Sequence, residues 1–396
     1  GRRRHKADVL FHEPKKKDYA RLVDVKTDMR DGVERFGLAA EDLKCRHGFD
    51  LTDRGTDLAG ALSEANYCII CHERGKDSCS GGMRDRKTGD FTKNPTGIIM
   101  TGCPLEQKIS EMHRAKTIGQ PVGALAIIMI DNPMLPATGH RICNDCMRAC
   151  IYQKQDPVDI PEAETRILKD VLALPWGFEI YSLFTRWDPL NIRIPLPREL
   201  SGRSVLVVGM GPAGFSLAHY LMNAGHSVIG IDGAKIEPLA AELTGIGGSG
   251  ERGPFEPVYD VEKLYEPLDD RIMAGFGGVA EYGITVRWNK NFLKIVRLVL
   301  ERRSRFRLFG GVRFGGAITE AQAFDLGFDH IALCMGAGKP TYLPIPNGLA
   351  PGVRQASDFL MALQLTGAAK MSSITNLQIR MPVVVVGGGL TAIDTA

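Results

Sequence analysis

The rhythm of apolar and polar positions changes twice along the chain. Up to about Asp53 the sequence is polar and charged, and its pattern predicts short helical stretches at best. From Leu58 to Leu190 the texture becomes helical. EQKISEMHRAKTIG (Glu106–Gly119) and PEAETRILKDVLAL (Pro161–Leu174) bring apolar residues back at helix spacing, with Gly- and Pro-rich loops around them. No regular alternation there predicts a sheet, so this part reads as an α-helical, loop-rich domain. ALAIIMI (Ala124–Ile130) reads as a buried helix or strand. It falls far short of the roughly 20 residues of a membrane-spanning helix. DPLNIRIPLPREL (Asp188–Leu200) predicts an extended linker, because its three prolines neither donate to a ladder nor sit inside a helix.

At Ser204 the rhythm changes again. SVLVVGMGPAGFSLAHYLMNAGHSVIGID (Ser204–Asp232) predicts a buried strand, a glycine turn, a helix and a second strand, the first unit of a doubly wound α/β domain. FDHIALCMGAG (Phe328–Gly338) predicts a strand ending in a glycine turn. MPVVVVGGGLTAIDTA (Met381–Ala396) repeats the strand–glycine–helix opening.

The first opening contains Gly209-x-Gly211-x-x-Gly214. Its glycines permit a tight turn, a close approach of backbone to pyrophosphate, and close packing of helix on strand. The helix N-terminus behind it offers N–H groups to phosphate. Asp232 ends the next strand about 20 residues on, where a carboxylate meets ribose hydroxyls. The second opening, Gly387-x-Gly389-x-x-Ala392, has the same mechanics. The chain stops before the strand that would choose NAD or NADP. It also opens on Gly1 rather than Met, so it reads as part of a longer polypeptide.

Composition is that of a globular protein, with 44% hydrophobic and 24% charged residues. The net charge of +3 gives no reason to expect nucleic acid. The basic run Arg2, Arg3, Arg4, Lys6, Lys15, Lys16 and Lys17 reads as a solvated arm. The nine cysteines change the picture more. All but Cys334 fall in the first 150 residues, and no export signal favours disulfides. Cys68-x2-Cys71 is followed by Cys79 and then by Cys103-Pro104. Cys143, Cys146 and Cys150 follow at C-x2-C-x3-C spacing. Thiolates in such runs suit iron–sulfur centres or zinc, and a final Cys-Pro is typical of ferredoxin-type runs. Cys68-x2-Cys71-His72 also satisfies the c-type haem pattern. The iron–sulfur reading is preferred because a flavin-type nucleotide site lies in the same chain. Cys334 reads as a core cysteine.

The order of cysteine runs, GMGPAG, FDHIALCMGAG and GGGLTAIDTA resembles the small subunit of glutamate synthase and its relatives. These include the N-terminal half of dihydropyrimidine dehydrogenase and the large subunit of the NADH-dependent ferredoxin:NADP oxidoreductase. The resemblance covers Asn66 to the end. It implies an α-helical domain with two [4Fe-4S] clusters, followed by a doubly wound α/β FAD domain carrying an inserted, here truncated, NAD(P)H domain. The corresponding ranges are a polar basic arm at 1–55, the iron–sulfur domain at 56–190, the FAD domain at 191–345, and a linker with the start of the NAD(P)H domain at 346–396. By resemblance Gly209, Gly211, Pro212, Ala213 and Gly214 cradle FAD, Asp232 binds its ribose, Gly336 closes against it, and Gly387, Gly389 and Ala392 approach NAD(P)H. One cluster takes Cys68, Cys71, Cys79 and Cys150. The other takes Cys103, Cys143, Cys146 and a non-cysteine ligand, which falls on Glu164 after Pro157-Val158-Asp159-Ile160.

Two departures stand out. The gaps around Cys79 are longer than usual, which leaves room for Cys103 to exchange clusters. Leu390 stands where relatives usually carry Asn. The resulting expectation is an NAD(P)H-dependent oxidoreductase passing electrons through FAD and two clusters to a partner subunit or fused domain, in bacterial cytoplasm or, in a eukaryote, the mitochondrial matrix. The alternative is a structural subunit that keeps the fold without turnover.

Overall fold

A computed structural model describes residues 12–22, 25–39, 43, 48, 50–140, 142–268, 276, 278, 288–337, 339–368, 370 and 372–396. Arg2, Arg3, Arg4, Lys6 and Gly338 lie outside the described residues. The chain divides into two compact units, residues 1–135 with 139–170, and residues 136–138 with 171–396.

In the first unit the N-terminal part departs from the expectation of short helices. β1 (Lys26–Arg30) and β2 (Val33–Gly37) form an antiparallel hairpin. Asp31 and Gly32 both adopt positive φ, 53° and 75°. Those are the values of a two-residue type I′ turn, which Asp-Gly favours. Every strand residue is exposed. Turn chemistry therefore makes this hairpin, and an apolar alternation does not reveal it.

Helices and loops follow: α1 (Leu58–Tyr67), α2 (Ser78–Gly81), α3 (Ile109–Thr117), α4 (Pro121–Asp131), α5 (Leu135–Thr138), α6 (Asp145–Arg148) and α7 (Ile160–Leu172), of which residues 136–138 and 171–172 fall to the second unit. Asp57 caps α1 by accepting from Gly60 N at 2.7 Å. Pro121 opens α4, where its missing N–H costs nothing. Ala124, Leu125, Ala126, Ile128 and Met129 of α4 are buried, and α3 packs against both α4 and α1. Among the described residues, no helix is long and apolar enough to cross a membrane.

The second unit contains α8 (Gly177–Phe184) and then β3 (Ser204–Val208), α9 (Pro212–Asn223), β4 (Ser227–Asp232), β5 (Phe306–Gly310) and β6 (His330–Leu333). The strands form one parallel sheet in the order β5-β4-β3-β6. β3 sits inside the sheet with Val205 to Val208 buried, which is why it reads as a continuous apolar run. Leu206, Val208, Ile231 and Ala323 form a core, with Phe328 and Ile331 packed on it. This is the arrangement of a doubly wound α/β fold built on a parallel sheet.

Three features differ from expectation. Val383–Val386, expected to be the strand of a second unit, pairs with no strand among the described residues, and Val384 is 83% exposed. A parallel strand needs neighbours for its N–H and C=O groups, and among the described residues none flanks it. The helix Leu390–Thr395 nevertheless starts on Gly389. Cys334, expected in the core, lies just past β6 and is only partly buried. The helix Asn291–Glu301, which no motif marks, is buried along its whole length. Its Arg297 Nε donates to Glu301 Oε1 at 2.9 Å, so the charge it carries inside is paired.

Burial in α9 has a consequence for acid stability. His219 is fully buried, and its Nε2 lies 3.2 Å from the Asn223 Nδ2 donor. Burial, helped by the nearby Arg303 charge, pushes its pKa down to about 3. An unfolded histidine titrates near about 6.5. Below that pH the unfolded chain takes up a proton that the folded chain refuses. The contribution is therefore complete above about pH 6.5 and is lost as pH falls towards the folded value, at about 1.4 kcal/mol per pH unit. His219→Gln should flatten the acid limb of Tm against pH, measured by calorimetry between neutral and acid pH.

Candidate functional site

β3 delivers the chain into the first glycine loop. Gly209 has φ +91°, and a Cβ there would lie 2.5 Å from the Cys334 carbonyl oxygen. A Cβ on Gly214 would lie 1.8 Å from Gly209 O. Both positions therefore exclude side chains. Gly211 precedes Pro212 at the start of α9 and brings no side-chain cap. The N–H groups of Ala213 and Gly214 thus belong to a helix N-terminus suited to an anion. Asp232 is fixed beside the loop: Met210 N donates to its Oδ2 and Ala234 N to its Oδ1, both at 2.8 Å. A carboxylate keeps further lone pairs for hydroxyl donors. Gly336, just past β6, has φ +68°, and a Cβ on it would meet nothing within 4 Å.

Phe276 and Gly278 also belong to this corner, and no sequence motif marks them. Gly278 has φ +68°, and a Cβ on it would meet Gly211 Cα at 2.7 Å. Phe276 is fully buried and stacks on Phe215 with ring centroids 5.4 Å apart. The signal that could have found them is the Phe-Gly-Gly run at 276–278. At the second motif, Gly387 has φ +141°, a Cβ on it would touch Ala392 Cβ at 3.4 Å, and Gly389 caps the following helix.

The cysteines fall into two groups in the first unit. Cys68, Cys71, Cys79 and Cys150 line one cavity, closed by Ile69, Ile109, Tyr152 and Val158. Cys68 follows α1 directly, and Ile70 in the left-handed region (φ 49°) turns the chain so that Cys71 faces the same space. Tyr152 is backed by Tyr67, and Tyr67 by His12, as stacked rings 4.6 and 4.4 Å apart. Burial pushes the Cys68 thiol up to about 11 and raises Cys79 and Cys150 as well. His72 is not among the lining residues. Its Nε2 lies 3.9 Å from Glu111 Oε1.

The other group is Cys103, Cys143, Cys146 and Glu164. Burial, then the neighbouring Glu164, Cys103 and Cys143, hold the Cys146 thiol well above its usual range. Glu164 projects from α7, is 7% exposed, and its Oε1 has no hydrogen-bond partner. Burial raises its carboxyl to about 7, against side-chain hydrogen bonds from Gln107 and Asn132. Among the described residues, no three cysteine sulfurs lie within 4.8 Å of one another. A tetrahedral zinc with bonds of about 2.3 Å sets its sulfurs about 3.8 Å apart.

Residues 203–396 match the family model described as pyridine nucleotide-disulphide oxidoreductase. An uncharacterised protein of Rickettsia prowazekii is 56% identical over 263 residues, covering 66% of this chain and 36% of that protein. The glutamate synthase [NADPH] small chain of Mycobacterium tuberculosis is 29% identical over 65% of this chain and 42% of its own length. That of Bacillus subtilis is 27% identical over 74% of this chain and 49% of its own. The chain thus spans half or less of the curated relatives it matches. Taken with the glycine loop on a parallel sheet, these likenesses make the chain similar to FAD/NAD(P)H oxidoreductases, the glutamate synthase small chains among them.

Proposed function

We propose that the chain is the iron–sulfur flavoprotein part of an NAD(P)H-dependent oxidoreductase, moving electrons between NAD(P)H, FAD and two [4Fe-4S] clusters to a partner subunit or fused domain. The observation that carries this reading is the sorting of seven cysteines and Glu164 into two groups of four, in a chain whose other unit holds a dinucleotide loop. FAD, when bound, supplies the exchange of a hydride for single electrons, and the clusters accept those electrons one at a time. The protein's part is placement. Gly209, Gly211 and Gly214 leave room for the FAD pyrophosphate at the start of α9, and Asp232 stands where ribose hydroxyls arrive. Cys68, Cys71, Cys79 and Cys150 hold one cluster; Cys103, Cys143, Cys146 and Glu164 hold the other. Gly387, Gly389 and Ala392 serve the nicotinamide nucleotide. The glutamate synthase small chains among its relatives act with NADPH by name, which favours the same donor class here.

The test is spectroscopic. Purified without oxygen, the chain should show flavin bands over a broad brown absorption, with about eight irons per chain for two four-iron clusters. NAD(P)H should bleach the flavin. A colourless protein containing zinc, or a sharp haem band, overturns the cluster assignment. Flavin and iron without bleaching by NADH or NADPH point to the structural subunit instead.

A further inference from the structure

Tyr152 lines the cavity of Cys68, Cys71, Cys79 and Cys150, and it lies in irregular backbone between α6 and α7. Neither helix fixes its ring, so the contacts of its loop must. The N-terminal arm supplies them. Lys16 pairs with Gln155 in an antiparallel bridge, and Lys17 N donates to Lys154 O at 2.8 Å. Lys17 Nζ lies 3.5 Å from Asp156 Oδ1, and the Tyr19 hydroxyl donates to Gln153 O. Behind Tyr152 the rings of Tyr67 and then His12 continue one stack, with interplanar angles of 10° and 16°. Both outer rings are held as well. Tyr67 OH donates to Asp156 O at 2.8 Å, and His12 Nδ1 lies 3.2 Å from Glu64 Oε1. The other oxygen of Glu64 accepts from Asp159 N at 2.8 Å. Arm, loop and α1 are thereby tied into one wall of the cavity.

We infer that residues 12–19 are a strap that seats Tyr152, a positioning residue, against the first centre, keeps water from it and so holds its reduction potential down. The inference rests on the iron–sulfur reading above. A four-iron cluster on four thiolates is negative overall, and reduction by one electron adds to that charge. Water stabilises the more highly charged state, so a dry wall disfavours reduction. Solvent exposure and the apolar shell around a site are among the levers on cluster potential. Cys71, Cys79 and Cys150 are buried, so opening the wall is the way to wet them. None of the strap's contacts above involves Cys103, Cys143, Cys146 or Glu164. The second centre therefore serves as the internal reference.

The experiment uses the whole chain with its clusters reconstituted from iron and sulfide. A redox titration followed by spin resonance gives the potential of each centre, and the signal missing from Cys150→Ala identifies the first. Tyr152→Ala removes the ring, and Lys17→Pro removes the N–H that bonds Lys154 O. Both should shift the reduction equilibrium of the first centre about tenfold towards the reduced form, about 59 mV higher for a one-electron couple. Both should also bleach that centre faster in air. Tyr152→Phe keeps the ring, and Lys17→Ala loses the same charge as Lys17→Pro but keeps the N–H. These two should stay near wild type, and the second centre should not move in any of the four. If Tyr152→Ala does not retain its iron, Lys17→Pro and His12→Ala carry the comparison, since neither changes a lining residue. Unchanged potential and lifetime of the first centre in Lys17→Pro and His12→Ala overturn the inference. So do equal shifts at both centres, or the same shift in Lys17→Ala as in Lys17→Pro. Each of those results leaves the wild-type clusters, and the reading beneath, in place. A wild-type chain that takes up no iron–sulfide chromophore is a different failure, that of the cluster reading itself.

Discussion

Gly214→Val is expected to strip the chain of flavin and to lower its stability. The first added atom alone would sit 1.8 Å from Gly209 O, a backbone atom that cannot swing aside. Val207 Cγ1, 3.5 Å away, closes the other side. Either α9 lifts from β3 or the loop from Val208 to Gly211 shifts. Overpacking of this kind commonly costs about 1–3 kcal/mol even where side chains can adjust. Here the adjustment falls on the backbone that would approach pyrophosphate, and binding suffers beyond the loss of stability. FAD affinity should weaken at least about a hundredfold, equivalent to about 2.8 kcal/mol. Gly248→Ala is the control, since nothing lies within 4 Å of a Cβ there and the backbone is not left-handed. Flavin content after purification and FAD titration of the stripped protein are the measurements. Full flavin with an unchanged Tm in Gly214→Val would remove this loop from the cofactor site.

That loop was legible in the sequence because its constraints are local. A buried parallel strand must be apolar on both faces, and each glycine meets an atom within a few residues or on the adjoining strand. The corner formed by Phe276 and Gly278 was not legible, because their reason for being there is Gly211, more than sixty positions away in the chain. The hairpin at Lys26–Gly37 escaped for the opposite reason. Its turn signal, Asp31-Gly32, is plain, but no apolar face accompanies it. Val383–Val386 reads as a strand by composition alone, and composition does not supply the neighbours that turn an extended run into a strand. The change of texture at the proline linker near Pro189 to Pro197 is compositional. The division into compact units comes at Asp170, within a continuous helix that carries no such mark. At the cysteines, spacing gave the expectation of metal chemistry but not which residue joins which group. That sorting depends on chain turns, such as the left-handed Ile70 and the single turn of α6.

Cys146→Ala and Cys150→Ala should remove different centres although the two residues are four positions apart. Spacing alone would put them in one set with Cys143. In the structure Cys150 lines the cavity of Cys68, Cys71 and Cys79, while Cys146 shares its surroundings chiefly with Glu164, Cys103 and Cys143. Cys146 lies within the turn Asp145–Arg148, and Cys150 lies two residues past its end. Each variant loses one ligand of four, leaving three thiolates in the group of Cys150 and two thiolates with the Glu164 carboxylate in that of Cys146, and a four-iron cluster with no replacement ligand is expected to fall out during purification. Iron should drop to about half in both proteins, from about eight to about four per chain. The spin-resonance signal that survives in one should be the signal missing from the other. Glu164→Ala should lose or perturb the same signal as Cys146→Ala, because its carboxyl belongs to that group. Variants Cys146→Ala and Cys150→Ala that lose the same signal would mean that the two thiols serve one centre, as their spacing suggests. The separation into two groups would then describe only the metal-free chain.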